Sequence, residues 1–169
     1  MFVFDRLYGK LTFPPLIQRV LRCPGLLRLR EVRMANIPFL AFPAFTATTR
    51  YEHSLGVCHL AGIFAKQAGL SEKDKIEVML AALYHDVATP PFAHAVEEVL
   101  ASLYGFDHEE KLRQLIIGQT EDLGKHRAQL FLGHSLRLHS VCQTKEARRI
   151  GIDIFRIADL AAGSPNDPL

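Results

Sequence analysis

Histidine is the residue type whose number and spacing most suggest chemistry in this chain. There are eight histidines in 169 residues. His53 lies at the start of a helical segment, and the adjacent pair His85-Asp86 ends an apolar helical segment further along the chain. Imidazole nitrogen and carboxylate oxygen are the usual ligands of a hydrolytic divalent metal. The three side chains can meet at one ion if the two helices pack antiparallel; the alternative is that they only satisfy the polar groups at helix ends.

The elements that must position these residues are predicted to be helices, so the fold class is all-α. Residues 1–15 are predicted to form a short hairpin or an extended arm, 16–35 two short helices around Cys23-Pro24-Gly25, and 36–49 a loop. Ser71 and Asp74 are typical of a helix start, and Pro90-Pro91 must interrupt the helix that carries His85. The remaining helices are predicted over 54–69, 71–85, 93–103, 108–117 (after the cap Asp107), 121–132 and 144–162, with a loop over 133–141.

Composition bounds the class of protein. Hydrophobic residues make up 49% and charged residues 22%, which is typical of one globular domain. The net charge of +2 argues against a general nucleic-acid coat or a binder of acidic lipid. Three widely spaced cysteines predict no disulfide framework and favour a reducing cytoplasm. No signal peptide or membrane span is predicted.

The segments around the three candidate ligands carry a family resemblance. Residues 50–57 read Arg-Tyr-Glu-His-Ser-Leu-Gly-Val, 80–86 read Leu-Ala-Ala-Leu-Tyr-His-Asp, and 91–94 read Pro-Phe-Ala-His. They resemble the R-F-E-H-S-L-G-V and H-D-x-G-H-x-P-F-S-H blocks of HD-domain phosphohydrolases, in particular of their dNTP triphosphohydrolase branch. The resemblance implies one HD helical bundle over 1–169, with an N-terminal arm, short helices and a loop over 1–49 and the helical core over 50–169. We expect this core to lack the family's C-terminal part.

The resemblance also implies roles for individual residues. His53, His85 and Asp86 would bind one divalent metal ion (Mn, Fe, Ni, Co, Zn or Mg), with Asp86 also counted as catalytic. Arg50 would contact substrate phosphate, for which its guanidinium is suited. His94 and His108 would orient phosphates or protonate a leaving oxygen. The implied substrate is a nucleotide or a related phosphate ester or anhydride.

Two departures from the family pattern bear on activity. Thr89 stands where active members have a histidine; its hydroxyl can bind phosphate but is a poor general acid. The fourth metal ligand of the family is an aspartate, for which this chain offers Asp159 or Asp153, and a third possibility is that the ligand lies beyond the chain end. Six residues apart on a helix, the two aspartates differ by about 600° and cannot both face one ion.

Other functions stay open on the sequence. A non-catalytic or truncated HD fold could serve as a scaffold or regulatory module, and a homo-oligomer is possible. Nucleic-acid binding is disfavoured by the balanced charge, and the basic residues that could support it are predicted to lie on solvated helix faces. These residues are Arg28, Arg30, Arg33, Lys145, Arg148 and Arg149.

Overall fold

A computed structural model describes residues 2–34, 48–92, 94–119 and 138–163 of the chain. Helices dominate this part, which confirms the all-α prediction. A 3-10 turn over Arg28–Glu31 follows the first two helices. The α-helices are α1 (Pro15–Val20), α2 (Pro24–Leu27), α3 (Arg50–Gln67), α4 (Glu72–Tyr84), α5 (His94–Tyr104), α6 (His108–Ile117), α7 (Leu138–Cys142), α8 (Lys145–Ile150) and α9 (Ile154–Ala161). None of these described helices combines the length and apolarity needed to cross a bilayer.

The N-terminal arm is a hairpin of two short antiparallel strands, β1 (Phe2–Asp5) and β2 (Gly9–Thr12). Asp5 closes its turn, because Oδ1 accepts hydrogen bonds from the backbone N–H groups of Leu7 and Tyr8 at 2.8 and 2.9 Å. Gly9 ends the turn with a φ of 72°, a conformation that glycine adopts without strain. The hairpin turn is thereby held in a fixed shape beside α3.

Helices α3 and α4 share the most extensive interface between described elements. They run antiparallel, because a short turn through Gly69 (φ 70°) and the N-cap Ser71 reverses the chain between them. The inner face of α4 carries Ile76, Leu80 and Leu83, all almost fully buried. Burial of each such side chain contributes about 1.5–3 kcal/mol. This interface brings the start of α3 to the end of α4.

Helix α9 packs against both α4 and α6, and a buried carboxylate fastens it to α4. Glu77 of α4 is 0% exposed. Its Oε1 accepts from the backbone N–H of Asp153 at 2.8 Å, and its Oε2 accepts from Arg156 Nη1 at 3.0 Å. Arg156 also donates to Asp74, which is partly exposed. Because every oxygen of Glu77 has a partner, its charge is tolerated in the interior.

Three boundaries differ from the sequence-based predictions. Helix α3 begins at Arg50 rather than at residue 54, because Thr49 and Glu52 form a capping box. The single helix predicted over 144–162 is wrong: α8 ends at Gly151, whose φ is 81°, and Asp153 then caps α9. Residues 138–142 form α7 where a loop was predicted. The residues 35–47 and 120–137, which hold most of the predicted loop 36–49 and the predicted helix 121–132, lie outside the described residues.

Candidate metal centre

The capping box at the start of α3 sets the orientation of the first two candidate residues. Thr49 Oγ1 accepts from the backbone N–H of Glu52 at 3.2 Å, and Glu52 Oε2 accepts from the backbone N–H of Thr49 at 3.0 Å. This fixes the first turn of the helix, on which Arg50 and His53 are three residues apart and therefore neighbours. Both side chains thus lie on the face of α3 that meets the end of α4.

The structure brings His53, His85 and Asp86 together, as the spacing predicts. One ligand atom from each residue lies within 4.8 Å of the others. The two imidazole rings meet edge-on with centroids 5.2 Å apart, and His85 Nε2 lies 3.5 Å from Asp86 Oδ2. Among the described residues this is the one group of three or more potential ligands close enough to share an ion.

The surroundings of both histidines suit metal ligands. His85 Nδ1 lies 2.8 Å from the carbonyl oxygen of Ala82. Because a carbonyl only accepts hydrogen bonds, Nδ1 is the donor in this contact, and Nε2 is the ring nitrogen that points to the three-residue group. Burial, and then the neighbouring His85, lowers the pKa of His53 and so favours its neutral imidazole.

The two oxygens of Asp86 have different surroundings. Oδ1 accepts from Arg50 Nη1 at 2.7 Å and from Thr89 Oγ1 at 3.2 Å. Oδ2 is buried and has no hydrogen-bond partner among the described residues. A buried carboxylate oxygen without a partner costs free energy, and a cation at the three-residue group would remove that cost. The donor set of two nitrogens and one oxygen, together with this unpartnered oxygen, fits a divalent metal ion.

Arg50 and Thr89 lie behind the carboxylate, where they fix its orientation. Arg50 is 5% exposed and Thr89 is 1% exposed. Thr89 Oγ1 also lies 3.4 Å from His108 Nε2, so this hydroxyl links His108 to Asp86. The phosphate contacts implied for Arg50 and Thr89 stay predictions, and the side chain of His94 lies outside the described part of the chain.

Neither candidate for the fourth ligand joins the three-residue group in the described structure. Asp153 caps α9, and its Oδ1 accepts from the backbone N–H groups of Phe155 and Arg156. Asp159 Oδ1 contacts Arg113 Nη2 of α6 in an ion pair. The helix break at Gly151 explains the position of Asp153, because it gives this residue a capping role that one continuous helix would not allow.

A cavity of about 470 Å³ opens beside His53, between the hairpin turn and α3. Tyr8, Met34 and Leu60 contribute apolar walls. The Tyr8 ring lies so near Gly56 that a Cβ there would meet Cε2 at 3.1 Å. Sequence reasoning did not find this cavity, because the docking of a hairpin on a distant helix leaves no local signal. Its volume lies in the range of small-molecule sites, about 300–1,000 Å³.

Comparison with known proteins agrees with this geometry. Residues 50–159 match the HD domain family. The chain is 34% identical over 97 residues to the deoxynucleoside triphosphate triphosphohydrolase SAMHD1 of Bos taurus, which covers 53% of this chain and 16% of that protein. It is 28% identical over 130 residues to the SAMHD1 homolog of Dictyostelium discoideum, with 71% and 25% covered. An uncharacterized protein of Bacillus subtilis, YwfO, is 30% identical over 99 residues, with 56% and 22% covered.

The family match spans more than half of the chain and includes all three residues of the group. The chain therefore belongs to the HD domain family, with relatives in its dNTP triphosphohydrolase branch. It corresponds to only about a quarter or less of the length of the three relatives named above.

Proposed function

We propose that this chain is the metal-binding part of a phosphohydrolase that acts on a nucleotide, with deoxynucleoside triphosphates as the first candidates. The observation that carries the proposal is the buried, unpartnered Asp86 Oδ2 at the meeting point of two imidazoles. The deoxynucleoside triphosphate triphosphohydrolase activity of the SAMHD1 relatives supports the choice of substrate class.

His53, His85 and Asp86 would hold the ion. A divalent ion bound there supplies a Lewis acid for a phosphoryl oxygen and lowers the pKa of a bound water. The chain's own residues set the charge of the site: the Asp86 carboxylate is offset by Arg50, and the neutral form of His53 is favoured. The charge of a bound cation would therefore stay largely uncompensated by protein, which favours an anionic phosphate as its partner.

The 470 Å³ cavity supports a substrate with an organic part attached to the phosphate. It adjoins His53, and Tyr8 supplies an aromatic surface in its wall. We propose that the nucleoside lies in this cavity while the phosphates face the metal group. His108 would assist through its link to Thr89, and His94 keeps its implied role at the phosphates as a prediction.

A second candidate is a non-catalytic HD module that keeps the metal. The specific observation in its favour is Thr89, which is 1% exposed and bonded to Asp86, so its hydroxyl faces the protein rather than an incoming substrate. On this alternative, an ion bound by the three-residue group would stabilise the fold, and the domain would serve as a regulatory surface.

Metal content and hydrolysis measured together test both candidates. The purified chain should bind about one manganese ion and release phosphate from deoxynucleoside triphosphates, and His85→Ala should lose both. His139→Ala is the matched control, because His139 lies on α7 against Gly118, at the opposite end of α6 from His108 and outside the three-residue group. Bound metal without hydrolysis would favour the non-catalytic module, and a chain that binds no manganese would refute both.

A further inference from the structure

The turn that carries Asp86 is hydrogen-bonded to Arg28, an arginine that is predicted from the sequence to lie on a solvated helix face. Arg28 belongs to the 3-10 turn that follows α2. Its Nη2 donates to the carbonyl oxygen of Val87 at 2.7 Å and to that of Thr89 at 2.8 Å. These contacts span 59 and 61 residues of sequence. They are therefore a tertiary feature of the fold.

The two carbonyls need a donor that their own segment cannot provide. They follow the end of α4, where the last carbonyls of a helix have no partner in the helix. Pro90 and Pro91 come next and have no backbone N–H to donate. A guanidinium suits this position, because it offers several donors in a fixed plane and a positive charge at a helix C-terminus.

The same turn fixes the direction of the Asp86 carboxylate. Thr89 donates its backbone N–H to the carbonyl oxygen of Asp86 at 3.0 Å and its hydroxyl to Asp86 Oδ1 at 3.2 Å. If the backbone at Thr89 moves, both contacts move with it. The direction of Oδ2 toward His53 and His85 then depends on the carbonyls that Arg28 holds.

We propose that Arg28 is a positioning residue for the metal centre: it sets the orientation of Asp86 through the backbone of Val87 and Thr89, without contacting the ion or the substrate. The proposal rests on the proposed function, because it requires Asp86 to be a metal ligand. It assigns Arg28 a role distinct from the surface charge that its sequence context indicates.

The chain supplies a matched control two residues away. Arg30 lies in the same 3-10 turn and carries the same charge, but its guanidinium lies over the Tyr51 ring at 5.4 Å from the ring centroid. Arg30→Gln therefore removes the same charge from the same element while leaving the carbonyls of Val87 and Thr89 with their donor.

The test is a calorimetric titration of the full chain with manganese, which measures the affinity of each variant for the ion. The thermal midpoint of each variant in chelator is measured beside it, to show that the variant folds. Arg28→Gln should weaken manganese binding by about 10–100-fold, the usual effect of losing a group that orients a metal ligand. Arg30→Gln should change it by about twofold at most, as ordinary surface substitutions do. Equal affinities of Arg28→Gln and the unmodified chain would overturn the proposal. If the unmodified chain binds no manganese, the proposed function is refuted, and the Arg28 proposal falls with it. That outcome is distinguished from failure of the Arg28 proposal alone, because it is seen in the unmodified chain.

Arg28→Lys keeps the test decisive if Arg28→Gln does not fold. Lysine retains the charge, but its nitrogen lies one bond nearer to the backbone than Arg28 Nη2, the single atom that donates to both carbonyls. Amide hydrogen exchange of residues 85–89 should then speed up, while exchange in the preceding turns of α4 and the thermal midpoint stay close to those of the unmodified chain. A merely structural role would change exchange throughout α4, and unchanged exchange over 85–89 would also overturn the proposal.

Discussion

The buried ion pair between Arg50 and Asp86 yields the sharpest expectation about stability. Their side chains are only 7% and 9% exposed, and Arg50 Nη1 lies 2.7 Å from Asp86 Oδ1. Arg50→Met keeps most of the side-chain volume but removes the charge. The carboxylate then remains buried, with the Thr89 hydroxyl as the remaining hydrogen-bond donor to Oδ1 among the described residues.

The expected cost follows from this burial. Removing one partner of a buried ion pair destabilises a protein by about 3–5 kcal/mol, because the other charge is left uncompensated. In a chain of this size, 1 kcal/mol lowers the thermal midpoint by about 2–4 °C. In chelator, Arg50→Met should therefore unfold about 10 °C lower.

A double-mutant cycle measured by urea unfolding checks the reasoning. Asp86→Leu alone should also be costly, because it leaves Arg50 buried without its carboxylate. Arg50→Met combined with Asp86→Leu should recover most of the loss, since an apolar pair of similar volume replaces a buried ion pair at little cost. A single variant Arg50→Met within about 1 kcal/mol of the unmodified chain, as is usual for exposed pairs, would refute the argument.

Three further expectations concern the groups around the centre. Asp159→Asn should change manganese affinity by about twofold at most, because Asp159 contacts Arg113; a loss of about tenfold or more in a titration would instead identify it as a ligand. In chelator, the free energy of unfolding should rise with pH between the lowered pKa of His53 and about 6.5, because the unfolded chain binds the extra proton in that window. His53→Gln should flatten this part of a urea-derived pH profile, and an unchanged slope would contradict the pKa assignment. Glu77→Gln should cost about 1.5–3 kcal/mol, because it weakens a charge-assisted hydrogen bond in the interior while Arg156 keeps its contact with Asp74. Asp74→Asn, at the partly exposed partner of the same arginine, should cost less; equal urea midpoints would show that burial does not decide the difference.

Local signals in the sequence were enough to predict most helices. The caps Ser71 and Asp107 accept hydrogen bonds from the backbone N–H groups of Asp74 and Glu110, as their spacing indicates. The helix end at Gly151 was missed, although a glycine followed by a capping aspartate is a known boundary signal. Apolar residues continue on both sides of that glycine, so their spacing resembles that of one continuous helix.

The grouping of His53, His85 and Asp86 was left open by their spacing and was implied by the resemblance to the HD family. A short turn between the two helices makes it geometrically easy. His53, His85 and Asp86 then meet wherever those helices pack antiparallel. The contacts that orient the group could not be predicted in the same way. Arg28 reaches its carbonyls across 59 and 61 residues, and no pattern in sequence reports which surface arginine a 3-10 turn will direct inward.

The surroundings of Asp86 and His53 bear on the choice between the two candidate functions. Asp86 Oδ1 is engaged by Arg50 and Thr89, whereas Oδ2 lies beside the two imidazoles without a hydrogen-bond partner among the described residues. His53 adjoins a cavity large enough for a small molecule. An arrangement that orients one oxygen so closely, beside a space for a ligand, favours the phosphohydrolase over a module in which the metal only supports the fold.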